Sequence, residues 1–527
     1  MKKIIITLLT SSVFCITMNS CLDSNLNDDP DKIAPKELNK DNLWGTYLTS
    51  LQRHVAPEDQ NDFQLCEDLV GNMYAGYYAG TQNWEGGYNG TTYAFPDAWK
   101  DRPFSVAFTK FMSTWENLRH KTDSASVLFA VSEVVKVEAM HKTTDIYGPI
   151  PYTRFGLQNP VPYDSQETVY KRFFQELNHA IAILTRFDTQ NEGQKPLAKF
   201  DLIYGSDLKK WIRFANSLKL RLAMRCHAVY DDAKTLAEEA VNNPYGVLED
   251  YQDNAQMQTN NALSFTYFNP FYNLYSPEGY NEDRMGASMD AYLNGFEDPR
   301  LPKFFKTTED GYYRGLRNGL RNGNKFQGDP YLSMPTITRG TPYVWMTAAE
   351  IWLLRAEGAL LGWNMGGDAK TLYEKGIRSS FAQYGLSAEA DNYLASTNTP
   401  AAYQGLDGSP SAEAPSDITP AWDDNATLEK KLERIITQKW IAIYPLGQEA
   451  WSEFRRTGYP KIYPIVNNLS NGKVSTTEQV RRVPFPASEY SGNMGEVEKA
   501  IKLLGGEDTG AVSYTHLRAH ETPEHLV

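Results

Sequence analysis

The chain is 527 residues long and acidic, with 52 Lys and Arg against 65 Asp and Glu and a formal charge of −13. That balance carries no basic stripe and so excludes nucleic acid as a partner. The mean hydropathy of −0.51 goes with an absence of membrane-length apolar runs past the N-terminus. Tyr, Phe and Trp make up 13% of the residues, so many rings are available for loops and surfaces as well as for a core.

The chain opens on Met1-Lys2-Lys3, followed by an apolar run over 4–18 broken only by Ser and Thr, then Asn19-Ser20 and Cys21. A charged start, an apolar stretch too short to span a bilayer and a small residue before the cleavage point predict a signal peptide over 1–20. A cysteine directly after that point is the diacylglycerol acceptor of bacterial lipoproteins, so Cys21 is the expected lipidation site and the mature N-terminus. The alternative is an ordinary signal peptide with an incidental cysteine. Residues 21–40 are rich in Asp and Asn, without apolar periodicity, and cannot bury enough surface to fold alone. They are expected to be a tether.

The body over 41–510, about 470 residues, is larger than one compact core usually organises. Its periodicity predicts helices over 124–144, 166–187, 207–230, 347–363, 369–384, 428–444 and 448–455, the first capped by Asp123. The 347–363 and 369–384 pair is joined at Gly366-Gly367. Ala348, Leu353, Ala356, Glu357, Leu360, Ala369, Tyr373 and Ile377 follow tetratricopeptide spacing, small where helices touch. A looser copy lies over 207–242. The expected fold class is mainly α, a degenerate tetratricopeptide-like helical-repeat scaffold with long aromatic-rich loops and little β; a generic helix bundle is the alternative.

Two stretches break the helical pattern. Residues 72–103 are Gly-rich and hold eight rings from Tyr74 to Trp99, and residues 254–280 are rich in Asn, Phe and Tyr. Rings this dense argue for function rather than disorder. A third stretch, 388–424, reads as a surface insertion. Cys66 and Cys226 fall in apolar segments and are expected to be buried free thiols, and no Cys/His spacing suits zinc. The last residues, 511–527, resemble the translation of a sequencing adapter and are expected to be absent from the authentic gene, which would continue past Gly510. Three of the eight histidines lie there.

Three motifs carry a resemblance: Asp145-Ile146-Tyr147-Gly148-Pro149-Ile150-Pro151-Tyr152, Trp451-Ser452-Glu453-Phe454-Arg455-Arg456-Thr457-Gly458, and Arg481-Arg482-Val483-Pro484-Phe485-Pro486. In this order and spacing the chain resembles the SusD/RagB-like (starch-utilisation-system D type) outer-membrane lipoproteins of Bacteroidetes over nearly its whole mature length. Physically the motifs are framework. The Gly-Pro pair stops a helix, Trp451 and Phe454 pack a helix face, and Arg455 and Arg456 are expected to serve carboxylates at its end. The resemblance implies a protein facing the cell exterior, held in outer-membrane lipid by the acylated Cys21. It implies binding of an oligosaccharide or a peptide and its delivery to a SusC-like TonB-dependent transporter. No catalytic residue, metal or cofactor is expected.

The candidate ligand-binding residues are Trp84, Tyr88 and Tyr93. They sit in one loop where Gly86, Gly87 and Gly90 free the backbone, next to the polar Gln82, Asn83, Glu85 and Asn89. Sugar C–H faces stack on such rings while hydroxyls seek the polar groups. The other possibility is that these rings staple the loop to the helices, and Tyr272 and Tyr275 are then the next candidates. A surface glycoside hydrolase is the rival class. It needs two carboxylates about 5–10 Å apart, for which Glu85 with Glu278 or Asp283 are conceivable, and the chain has neither G-x-S-x-G nor H-E-x-x-H.

Overall fold

The computed structural model describes residues 40–259, 267–320, 326, 328–406 and 409–511. The signal peptide, Cys21, nearly all of the tether and residues 512–527 lie outside the described residues. Nine helices frame the site: α1 (Lys40–Arg53), α2 (Val127–Tyr147), α3 (Gln166–Gln190), α4 (Leu208–Cys226), α5 (Ala233–Val241), α6 (Ala348–Leu360), α7 (Ala369–Gln383), α8 (Leu428–Ala442) and α9 (Gly447–Thr457). Among the described residues no helix is long and apolar enough to cross a membrane.

Six of these helices begin where a polar side chain takes up an orphan N–H: Ser126, Ser165, Asp207, Thr347, Asp368 and Thr427. Each such cap is worth about 1 kcal/mol. The α2 cap is Ser126 rather than Asp123, which instead folds a turn by accepting from the Ala125 amide. α2 packs on α3, α3 on α4, α4 on α5 and α6 on α7, giving the repeat architecture. The α6–α7 hairpin closes tightly at Gly376, where a Cβ would stand 2.6 Å from the Leu353 side chain. Strand content is small. β1 (Tyr78–Gly80) pairs antiparallel with β3 (Asp283–Met285), and β2 (Ala255–Met257) with β4 (Tyr343–Met346).

α2 is buried on nearly all sides, polar residues included, so its charges need partners. They find them where α2, α4, α6, α8 and α9 meet. Arg221 pairs with Glu350 at 2.7 Å, Arg225 with Asp145 at 2.5 Å and Glu453 at 3.0 Å, and Arg456 with Glu357 at 2.6 Å; Lys439 lies 3.2 Å from Glu453. The charges around Glu449 and Glu453 hold both carboxyls below their usual range despite burial, Arg225 foremost at Glu449 and Arg456 at Glu453. Arg456 thus serves carboxylates as expected. Arg455 does not: its guanidinium donates to the carbonyls of Asp145 (2.5 Å) and Arg481 (2.9 Å) and lies 3.7 Å over the Trp451 ring. All three motifs therefore converge. The Arg482 guanidinium donates to the Tyr147 carbonyl at 3.0 Å, the Val483 amide to Ile146 at 3.0 Å, and the Trp451 indole to Val480 at 3.1 Å.

Two loop expectations change. The 72–103 stretch is not loop to its end, because a helix starts at Asp97 and continues through Pro103 to Arg119 with a widened π segment. The 388–424 stretch is not a surface insertion. It straps across the body with Tyr393, Tyr403 and Ile418 buried, the Tyr403 hydroxyl on the Gly315 carbonyl (3.1 Å) and the Tyr373 hydroxyl on Pro420 (2.7 Å). Cys66 and Cys226 are buried free thiols.

Candidate functional site

The loop that leaves β1 is built by its small and amide side chains. Gly80 has no Cβ, and one placed there would stand 2.2 Å from the Trp84 ring, so the outer edge of the indole packs directly against the strand end. Trp84 also meets Trp99 edge-on at 5.9 Å and is hydrogen-bonded to the Glu282 carboxylate. It is half-buried. The backbone then reverses through left-handed Glu85 (φ 52°) and Gly86 (φ 62°), a conformation costly for Glu and natural for Gly. Asn89 locks the result. Its amide donates to the Trp84 carbonyl at 2.8 Å, and its Oδ1 accepts from the Thr91 amide at 2.9 Å and the Thr91 hydroxyl at 2.7 Å. Asn89 is thus spent inside the loop rather than offered to a ligand. The Tyr74 hydroxyl ties the Gly90 carbonyl to the core at 3.1 Å.

This scaffolding leaves Tyr88 at the apex, 55% exposed. It stands over a cleft of about 630 Å³. Glu85, Tyr88, Tyr93 and Phe95 form one wall, and Leu469, Val474, Phe485 and Tyr490 contribute to the other. Tyr93 is buried and shows the cleft only part of its ring, with its hydroxyl 3.5 Å from Gln479. The polar groups lining the cleft include exposed Glu85, Asn471 and Lys473, with Ser470 and Thr509, and Lys100, which is paired with Asp97 at 2.6 Å. Asp508, on the far wall, is committed to Arg482, the Tyr490 hydroxyl (2.8 Å) and the Phe485 amide (3.1 Å). Burial first, and then the Asp508 carboxylate, push the Tyr490 phenol up. Aromatic walls interleaved with polar side chains suit binding of a flat, hydroxylated or amide-bearing ligand.

The second pair lies elsewhere. Tyr272 and Tyr275 meet edge to face at 5.7 Å. Tyr275 is buried with its hydroxyl on the Ile337 carbonyl, and half-buried Tyr272 contacts Glu278 (3.3 Å) beneath the Arg339 guanidinium (5.0 Å). Neither lines the cleft. The chain also exposes Tyr280, Tyr312 and Tyr331. The loops of the last two adjoin, since the Glu309 amide donates to the Pro330 carbonyl at 3.2 Å. Tyr312 and Tyr331 were not singled out from the sequence, although Asp310-Gly311 and Asp329-Pro330 just before them are turn signals that put a following ring at a surface.

The three acids of the hydrolase alternative do not assemble. Glu85 lines the cleft, Glu278 sits with Tyr272, and Asp283 is fully buried on β3.

A family model described as "Susd and RagB outer membrane lipoprotein" matches residues 25–515. Among solved structures, a chitin-binding SusD homolog from Flavobacterium johnsoniae superposes with a TM-score of 0.86 at 37% identity, covering 91% of this chain and 99% of that one. A SusD homolog from Bacteroides thetaiotaomicron gives 0.82 at 36%, and one from Bacteroides uniformis 0.81 at 36%, each covering 90% of this chain and 99% of its own. A search of curated proteins finds no match.

Proposed function

The chain belongs to the SusD-like family of outer membrane lipoproteins, and from that premise we propose that it captures an oligosaccharide at the cell surface and delivers it to a SusC-like TonB-dependent transporter. Residues 1–20 are removed, Cys21 carries the acyl chains, and two or more such chains suffice for stable anchoring. The tether to residue 40 leads into the helical domain over 41–510, and residues 511–527 are foreign to the gene. The protein binds its ligand without turning it over.

One observation carries this reading: the 630 Å³ cleft walled by rings, with Tyr88 held exposed at its mouth by a loop that Asn89 makes rigid. A sugar stacks its C–H face on Tyr88 while its hydroxyls meet Glu85 and Lys473 at the rim. The 37% identical homolog is described as chitin-binding, so N-acetylglucosamine oligomers are the first ligands to try. Calorimetry of the wild type and Tyr88→Ala against these oligomers, and then a glycan panel, tests the proposal. By analogy with base stacking, loss of the platform costs about 1–3 kcal/mol, a roughly 5- to 150-fold weaker Kd. Tyr88 is half in solvent, so the melting temperature stays put. Equal affinity in Tyr88→Ala refutes the assignment, and saturable binding of peptides in place of glycans refutes the ligand class.

A further inference from the structure

Almost every buried carboxylate in this core sits beside a cation: Glu350 on Arg221 at 2.7 Å, Glu357 on Arg456 at 2.6 Å, Asp298 on Arg300 at 2.6 Å. Asp201, which lacks a cation, is answered by N–H donors of Gln52 (2.9 Å), Ser206 (2.7 Å) and Trp211 (2.7 Å), and Asp188 by the Tyr245 hydroxyl (2.8 Å), whereas Asp68 and Asp283 carry three oxygens with neither kind of partner. Both have 0% exposure, and they face each other within hydrogen-bonding reach. Among the described residues neither has a Lys or Arg nitrogen within ion-pair distance. Asp68 Oδ1 accepts from the Asn72 amide at 3.0 Å, while Asp68 Oδ2 and both Asp283 oxygens have no partner. Two adjacent buried carboxylates without a cation cannot both stay ionised, because each would carry an unpaid desolvation penalty and repel the other. A proton between them satisfies one oxygen of each.

The pair joins two elements that matter to the cleft. Asp68 lies on the helical segment over 64–72, and Asp283 on β3, where it registers opposite Gly80 of β1. The loop carrying Tyr88 leaves from there. Its first residue, Thr81, donates its amide to the Glu282 carbonyl at 2.7 Å, and Gln64 reaches across to the Glu282 carboxylate at 2.6 Å. We propose that Asp68 and Asp283 share a proton and act as a pH-sensitive latch, clamping β3 and the root of the Tyr88 loop onto the 64–72 segment.

The surrounding charges leave the proton in place. Glu282, bonded by Gln64 and Trp84, adds a third carboxyl beside the pair. The Arg284 guanidinium faces Asp283 electrostatically but directs its Nη donors to the Asp283 carbonyl and Asn281, both at 2.8 Å, its buried Nε makes no hydrogen bond to either acid, and Asp329 draws on it as well. Tyr78 on β1 gives its hydroxyl to Tyr444 at 2.7 Å, not to the acids. Burial pushes Asp68 up to about 7, and burial together with the Asp68 and Glu282 charges drives Asp283 well above the usual carboxylate range. A raised folded-state value means the native state holds the proton that the unfolded chain releases near pH 4. The stability this gives is complete at acid pH, and it is lost as pH rises through about 7 and beyond.

Thermal melts of the wild type, Asp283→Asn and Asp68→Asn from about pH 5 to about pH 9, with hydrogen exchange of the 78–95 segment, test the latch. An amide keeps the shape and supplies the missing hydrogen permanently. The wild type should therefore lose several degrees relative to either variant toward the alkaline end, and its 78–95 exchange should speed up relative to theirs at the same pH. If Asp283→Asn fails to fold, Asp68→Asn asks the same question. Melting and exchange profiles that run parallel to wild type overturn the proposal, and so does a variant that falls behind wild type as pH rises. Neither readout uses a ligand, so the result is independent of what the cleft binds.

Discussion

Tyr147→Phe removes one oxygen from the protein, and the structure gives that oxygen an unusual task. Pro103 interrupts the helix that begins at Asp97, because proline has no N–H and its ring crowds the preceding turn. One residue on, where the Phe104 amide would meet the Lys100 carbonyl, the Tyr147 hydroxyl stands between them instead. Phe104 donates to it at 3.1 Å, and it donates to Lys100 at 2.5 Å. The ring itself is 0% exposed and meets Phe104 edge-on at 5.5 Å, so phenylalanine fills the same space and opens no cavity. Two backbone groups lose their shared partner at about 1–3 kcal/mol each, while the hydroxyl's own burial cost is returned, which puts the loss at about 2–4 kcal/mol. Hydrogen exchange of the 97–112 amides measures it locally, where a loss of about 2 kcal/mol or more lowers protection roughly 30-fold or more. Lys100 lies at the rim of the cleft, so ligand affinity should fall with it. Protection of 97–112 equal to wild type would refute the bridging role, since it would mean the helix closes over Pro103 unaided.

Glu138→Gln should be nearly neutral at pH 7, within about 1 kcal/mol. Glu138 lies at the edge of the charge cluster, 3.4 Å from Arg221 and 3.9 Å from His141, and burial pushes it up to about 8, so it is already largely protonated. Its raised value makes a contribution that is lost as pH rises through about 8. Melts of the variant should omit that alkaline decline, and a variant several degrees less stable at pH 7 would show that the glutamate is ionised. Cys21→Ala should move the protein out of the outer-membrane fraction, as read by fractionation and immunoblot, because the acyl chains are the proposed anchor; retention in the membrane would refute it.

Much of the scaffold was legible because its signals are local. α3 and α7 start at Gln166 and Ala369, where an apolar 3.6 period follows a capping Ser or Asp, and α4 and α6 begin within a residue of where they were expected. The helix through Pro103 was not legible, since proline reads as a stop and its repair comes from a residue 44 positions away. The strap over 388–424 was missed for a related reason: Tyr393, Tyr403 and Ile418 are buried at irregular intervals that no periodicity reveals. Half of the cleft could be read, because glycines around Tyr88 announce a turning loop. Its opposite wall, Leu469 to Val474 with Phe485 and Tyr490, is assembled only by tertiary contacts such as the Leu469 amide on the Thr92 carbonyl at 2.8 Å.

The division between motif and cleft also explains how one frame can serve different ligands. Asp145, Glu453, Arg455, Arg456 and Arg482 are all buried, and each holds another element by charge or by a backbone carbonyl. Removing one partner strands a buried charge, typically at about 3–5 kcal/mol, whereas the intact cluster has one arrangement in which every group is answered. Substitutions there are therefore costly whatever the protein binds. Tyr88, Glu85 and Lys473 stand instead on loops whose shape is set by Gly86, Asn89 and the core tie at Tyr74. On the proposed site, changing a ring or charge at the mouth would alter what is recognised while the cluster beneath keeps the loops in register. The buried arginines thus hold the frame, and the proposed ligand contacts are left to the exposed side chains above them.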